Sequence, residues 1–122
     1  MNESQEQIKV VNFLEANEIK FTSFPNTKAR HMGELARKKR EGWRKGIPDL
    51  LIILPYKDRE NRLIFIEMKK AKTIGKRGGL IGGGVISEHQ KEWIEAINTC
   101  KEVEAFVCYG GDEAIKLIKS MI

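Results

Sequence analysis

Apolar positions recur along the chain with changing periods, and the changes mark out its elements. From Ser4 to Ala16, Ile8, Val10, Val11 and Leu14 return at helical spacing, which predicts a helix with Ser4 as its cap. Ile19–Phe24 alternates instead and reads as a short strand ending at Pro25. Asn26–Gly46 is long, polar and basic; helix is expected around Gly33–Arg40, and Gly42 and Gly46 break any longer run. "DLLIILP" (Asp49–Pro55) is a continuous apolar run, as in a buried strand, and "YKDREN" supplies a turn with Asp58 and Asn61 as turn formers. "RLIFIEMKK" (Arg62–Lys70) is the next strand, antiparallel to its predecessor because the connection is short. Gly75–Gly84 has six glycines in ten residues and is expected to be irregular. "SEHQKEWIEAINTC" (Ser87–Cys100) predicts a helix with a capping box of Ser87 and Gln90 and an apolar face of Trp93, Ile94 and Ile97. "VEAFVCYGG" is a last strand, and "DEAIKLIKSMI" a last helix with Asp112 as its cap. The predicted order is α-β-β-β-α-β-α: an α/β fold with helices against one mixed sheet, in a single domain over residues 1–122.

Composition narrows the class. With 122 residues and 41% hydrophobic content the chain can bury a core without staples. No apolar run approaches the ~20 residues a bilayer span needs. The polar opening "MNESQEQ" is unlike a secretory signal, so the cytoplasm is the default compartment. Cys100 and Cys108 are too few for a disulfide framework and are expected as buried thiols. The net charge of +5 is concentrated: eight Lys or Arg lie between Lys28 and Lys45, opposed by Glu34 and Glu41 alone. Lys69, Lys70, Lys72, Lys76 and Arg77 form a second cluster. Such segments suit a polyanion, although a solvated face of a basic protein has the same composition.

The two central strands carry the candidate chemistry. Alternation places Leu63, Phe65, Glu67 and Lys69 on one face, and Ile64, Ile66 and Met68 on the other. Glu67 and Lys69 are neighbours about 7 Å apart, at ~3.3 Å rise per residue. A hairpin through "YKDREN" returns Asp49 to the same end. Two carboxylates held together repel each other and favour a hard divalent cation, and a lysine beside them can orient water or hold a phosphate. The same three residues also fit a Glu67–Lys69 salt bridge with Asp49 as a turn residue at the strand entry.

"GIPDLLIIL" followed by "RLIFIEMKK" resembles the PD-(D/E)xK nuclease signature, here Pro48-Asp49 and Glu67-Met68-Lys69. More narrowly, the chain resembles the VRR-NUC branch in its small stand-alone form typical of bacteria and their viruses. Gly42 and Gly46 precede the Pro-Asp, "SEHQKEWIEAI" is similar to the branch's S-x-x-Q-x-x-W helix, and "VEAFVCYGGDEAIKLI" is similar to its closing strand and helix. Asn26 after Phe24-Pro25 adds to the likeness.

The resemblance implies a restriction-endonuclease-like core and a Mg²⁺- or Mn²⁺-dependent endonuclease. Its metal would be held by Asp49, Glu67 and the Met68 carbonyl, with Lys69 catalytic and Gln90 near the site. It also implies an acid on the first helix; Glu3 matches best, Glu6 is the alternative, and either also suits a helix N-terminus electrostatically. Arg37, Lys38, Lys39, Arg40, Arg44, Lys45, Lys70, Lys76 and Arg77 are the candidate nucleic-acid contacts. Small relatives resemble nucleases of branched DNA such as four-way junctions, whose symmetry implies a homodimer working inside a bacterial or virus-infected cell. The competing expectation is a non-catalytic basic module that binds nucleic acid. Of the remaining residues, His31 and His89 read as surface histidines and Trp93 as core. Trp43, between Arg40 and Arg44, suits either packing or base stacking. "TIGKRGGLIGGG" suits either a lid over nucleic acid or a plain loop.

Overall fold

A computed structural model of the chain describes residues 1–24, 32–56 and 60–122. Pro25, Asn26, Lys28, Arg30, His31 and Asp58, weighed above, lie outside the described residues. Helix α1 (Glu3–Ala16) buries Val10 and Leu14, and its capping box is formed by Asn2 and Gln5 rather than by Ser4. Asn2 Oδ1 accepts from Gln5 N at 2.8 Å, so the cap stands two residues earlier than the apolar spacing suggested.

The main sheet has the order β1-β2-β3-β6. Strand β1 (Lys20–Ser23) pairs antiparallel with β2 (Leu50–Leu54), which pairs antiparallel with β3 (Arg62–Lys69). Strand β6 (Val103–Tyr109) then runs parallel to β3. A parallel neighbour needs a long crossover, and helix α3 (Glu88–Asn98) provides it. Helix α4 (Gly111–Met121) closes the chain.

Burial follows the strand alternation. Leu50, Ile52, Leu54, Ile64, Ile66 and Met68 form one core with Val10 and Leu14 of α1 and Ala114 and Ile118 of α4. Each Val, Leu, Ile or Met side chain among them contributes about 1.5–3 kcal/mol. The opposite face of β3, with Glu67 and Lys69, is covered by α3.

The expected order is present with two additions. Helix α2 (Met32–Arg40) falls where local helix was expected. It ends in a Schellman turn: Trp43 N donates to Lys38 O, Gly42 N donates to Lys39 O, and Gly42 has φ +107°. The glycine run, expected to be irregular, instead contributes to a hairpin, β4 (Lys72–Ile74) against β5 (Leu80–Gly82). Two smaller expectations also change. Asp112 does not cap α4; it pairs with Lys9 at 2.6 Å, and the helix starts from Gly110 at φ +96°. Cys100 is exposed at the end of α3, whereas Cys108 is buried, which pushes its thiol up to about 12. Among the described residues no helix is long and apolar enough to cross a membrane.

Candidate active site

The site lies where β2 begins and β3 ends. Leu50 pairs with Ile66, so one further step of the antiparallel register sets Asp49 opposite Glu67 on the same face. Asp49 Oδ2 accepts from Met68 N at 2.7 Å. A residue in an antiparallel strand points its N–H and C=O to one side, so the Met68 carbonyl faces the same edge as Asp49. Pro48, fully buried, fixes the entry to this edge.

Glu67 and Lys69 are buried polar residues, at 3% and 7% exposure. What satisfies them is Gln90 on α3. Its amide nitrogen donates to Glu67 Oε1 at 3.0 Å, and its amide oxygen accepts from Lys69 Nζ at 3.1 Å and from Ser87 N at 2.9 Å. The capping role and the site role of Gln90 were alternatives in the sequence; here one side chain performs both. Lys69 Nζ also lies 3.8 Å from Glu67 Oε1.

The two carboxylates are electrostatically strained. Burial, then the charge of Asp49, pushes the Glu67 carboxyl up to about 8. Burial raises Asp49 too, against the pull of the Met68 N–H. Glu3 adds negative potential to both, and its carboxylate lies beside Gly84, as does the Lys69 stem. Glu6 does something else: it is buried, and its Oε2 accepts from Gly111 N at 3.1 Å, capping α4. Of the two candidate acids on α1, Glu3 is therefore the one that faces the site.

The segment before Asp49 is clamped to α3. Trp93, expected as core, is half-buried, and its indole N–H donates to Lys45 O at 3.1 Å. Gly46 has φ +99°, and a Cβ there would stand 2.6 Å from the His89 backbone carbon. The His89 side chain is exposed, as expected. Gly46 against the His89 backbone and Lys45 against Trp93 thus hold the segment that leads into Asp49; no sequence spacing disclosed these contacts.

A cleft of about 1280 Å³ opens from Asp49, Lys69 and Gln90 onto Lys39, Arg40, Trp43, Arg44 and Lys45. Half-buried Trp43 lines it. The other candidate cations lie elsewhere. Arg37 and Lys38 pair with Glu41 and Glu34 along α2. Lys70 is on a shallow surface with Glu3 and Gly84, and Lys76 and Arg77 are exposed between β4 and β5.

The donor set is all oxygen: two carboxylates and one carbonyl. Among the described residues no group of three His, Cys, Asp or Glu is placed to hold a metal. Three protein oxygens suit a hard divalent cation that keeps several waters, and not a nitrogen- or sulfur-seeking metal.

A mixed sheet flanked by helices, with Pro48-Asp49 and Glu67-Met68-Lys69 meeting at its end, defines a domain of the PD-(D/E)xK class. A family model, the VRR-NUC domain, matches residues 2–112. A solved structure described as a VRR_NUC domain protein superimposes with a TM-score of 0.63 at 26% identity, over 100% of this chain and 88% of the other. No curated protein matches the chain. The chain belongs to the VRR-NUC family of nuclease domains.

Proposed function

We propose that the protein is a divalent-metal-dependent endonuclease that hydrolyses DNA phosphodiesters, acts on branched DNA such as four-way junctions, and works as a homodimer in the cytoplasm of a bacterium or infected cell. The observation that carries the reading is half-buried Asp49 opposite buried Glu67, beside Lys69, opening onto a cation-lined cleft.

Asp49, Glu67 and the Met68 carbonyl would hold Mg²⁺ or Mn²⁺. The chemistry such a cation supplies when bound is positive charge at a phosphate and a more acidic water. Gln90 keeps Lys69 Nζ in place at 3.1 Å. From there Lys69 can orient water or neutralise a phosphate oxygen. Glu3 adds negative potential to the pair. Lys39, Arg40, Arg44 and Lys45 hold the strand along the cleft, and Trp43 offers a face for a base.

Labelled four-way junction and linear duplex, incubated with Mg²⁺, Mn²⁺ or EDTA, test this. Cleavage that needs metal, favours the junction and disappears in Lys69→Ala is expected. Cleavage that survives both EDTA and Lys69→Ala rejects the mechanism. Salt-dependent binding without cleavage under every metal condition leaves a basic binding module; cleavage of RNA alone redirects the substrate.

A further inference from the structure

The β4–β5 hairpin carries three exposed aliphatic side chains: Ile74 at 77%, Leu80 at 69% and Ile81 at 58%. Ile74 and Leu80 are cross-strand partners, so their side chains stand side by side on one face. Beyond them the chain makes a tight turn, in which Gly78 N donates to Gly75 O at 2.9 Å and Gly75 N to Gly79 O at 2.7 Å. Lys76 and Arg77 occupy the central positions of that turn. The base of the hairpin is fixed. Lys72 Nζ lies 4.1 Å from the Tyr109 ring centroid, and Gly83 fits so closely against Tyr109 that a Cβ would come within 2.7 Å. Both ends of the hairpin leave from the active site: β4 starts three residues after Lys69, and Gly84, two residues after β5, borders Lys69 and Glu3.

An aliphatic pair held out on a short anchored ribbon needs an occupant. Charge identifies it. Residues 70–87 contain four cations, Lys70, Lys72, Lys76 and Arg77, and no Asp or Glu. A second copy docking here through a two-fold axis would bring the same positive patch against itself. Three side chains also fall well short of the ~800 Å² per partner of a stable protein interface. A polyanion with an apolar interior satisfies both properties, and nucleic acid is one: phosphates outside, stacked bases within. Aliphatic wedges flanked by basic residues open base steps in this way.

We propose that the hairpin is a wedge that inserts the Ile74–Leu80 pair into a base step of the substrate, with Lys76 and Arg77 on the flanking phosphates. The proposal rests on the nuclease reading and narrows it to substrates with a weakened or unpaired step, where unstacking costs least. Ile74 lies five residues from Lys69, a reach of at most about 17 Å at ~3.3 Å per residue. Scission is therefore placed within about five nucleotides of the opened step, at ~3.4 Å per nucleotide.

The test uses a four-way junction carrying 2-aminopurine at the branch point, with the full chain in EDTA; anisotropy reports binding and fluorescence reports unstacking. Wild type is expected to raise the fluorescence on saturation. Ile74→Ser/Leu80→Ser, altered only at exposed positions, is expected to lose most of that rise and, in Mg²⁺, about tenfold of the preference for junction over linear duplex. Saturating anisotropy with flat fluorescence, or an equal rise from the double variant, overturns the wedge and leaves the nuclease reading standing. No binding to the junction overturns the wedge together with the branched-DNA reading. A double variant that becomes monomeric where wild type is dimeric also overturns it, by showing the occupant to be a second copy.

Discussion

Gln90 and Lys69, 21 residues apart in sequence, are joined at 3.1 Å, and through the same amide Gln90 also holds Glu67 and the N-terminus of α3. The two roles can be separated. Ser87→Ala removes the cap alone and is expected to cost about 1 kcal/mol of stability with little loss of cleavage. Gln90→Ala removes its own half of the capping box together with its hold on Glu67 and Lys69, and cleavage should fall roughly 10- to 100-fold, as for other residues that orient a site. Urea melts beside single-turnover rates for the two variants check this.

Glu67 governs a pH dependence whose sign is fixed by its environment. Its carboxyl ordinarily releases a proton near 4.5, but in the metal-free fold it does so at about 8, because of burial and then Asp49. The folded state therefore binds the extra proton between those values, and stability falls as pH rises through that window. Asp49 shifts in the same direction. Glu67→Gln should flatten the slope and raise metal-free stability by about 1–3 kcal/mol at pH 8. Denaturant melts in EDTA from pH 5 to 9 measure it; an unchanged slope would remove Glu67 as the cause.

Metal binding should release protons for the same reason, and Mg²⁺ affinity should rise with pH up to about 8. Calorimetry in two buffers of different ionisation enthalpy counts those protons. Affinity independent of pH over this range would contradict an ion held by Asp49 and Glu67.

Glu3 and Glu6 should behave in opposite ways. Glu6→Ala strips a buried acceptor from Gly111 N and is expected to destabilise by about 1–3 kcal/mol. Glu3 is exposed and faces the carboxylate pair, so Glu3→Ala should leave the melting midpoint nearly unchanged while altering the cleavage rate. Thermal melts and rates on both variants separate the cap from the site.

Gly46→Ala should be damaging for a change of one methyl group. Its Cβ would meet the His89 backbone at 2.6 Å, at a φ of +99°. A loss of about 1–3 kcal/mol and displacement of Asp49 are expected, visible as reduced stability together with reduced metal affinity.

What could be read from the sequence was local or repetitive. The capping box of Ser87 and Gln90, the alternation that sends Ile66 and Glu67 to opposite faces of the sheet, and the return of Asp49 to Glu67 all follow from short-range geometry. What escaped depends on distant partners. Asn2 begins α1 before its apolar stripe begins, so Ser4 looked like the cap. Asp112 looked like a cap because the actual acceptor, Glu6, is 105 residues from Gly111. The β4–β5 hairpin was hidden because its strands are three residues each, too short to show a period. The clamp of Trp93 on Lys45 spans 48 residues and leaves no local trace.

Asp49 and Glu67 are proposed to grip one divalent cation between them. Anomalous scattering from crystals soaked in Mn²⁺ locates that ion directly. A single strong peak about 2.0–2.2 Å from a carboxylate oxygen of each residue and from the Met68 carbonyl is the expected result. A peak on other side chains, with this pair left bare at a Mn²⁺ concentration that supports cleavage, would contradict it.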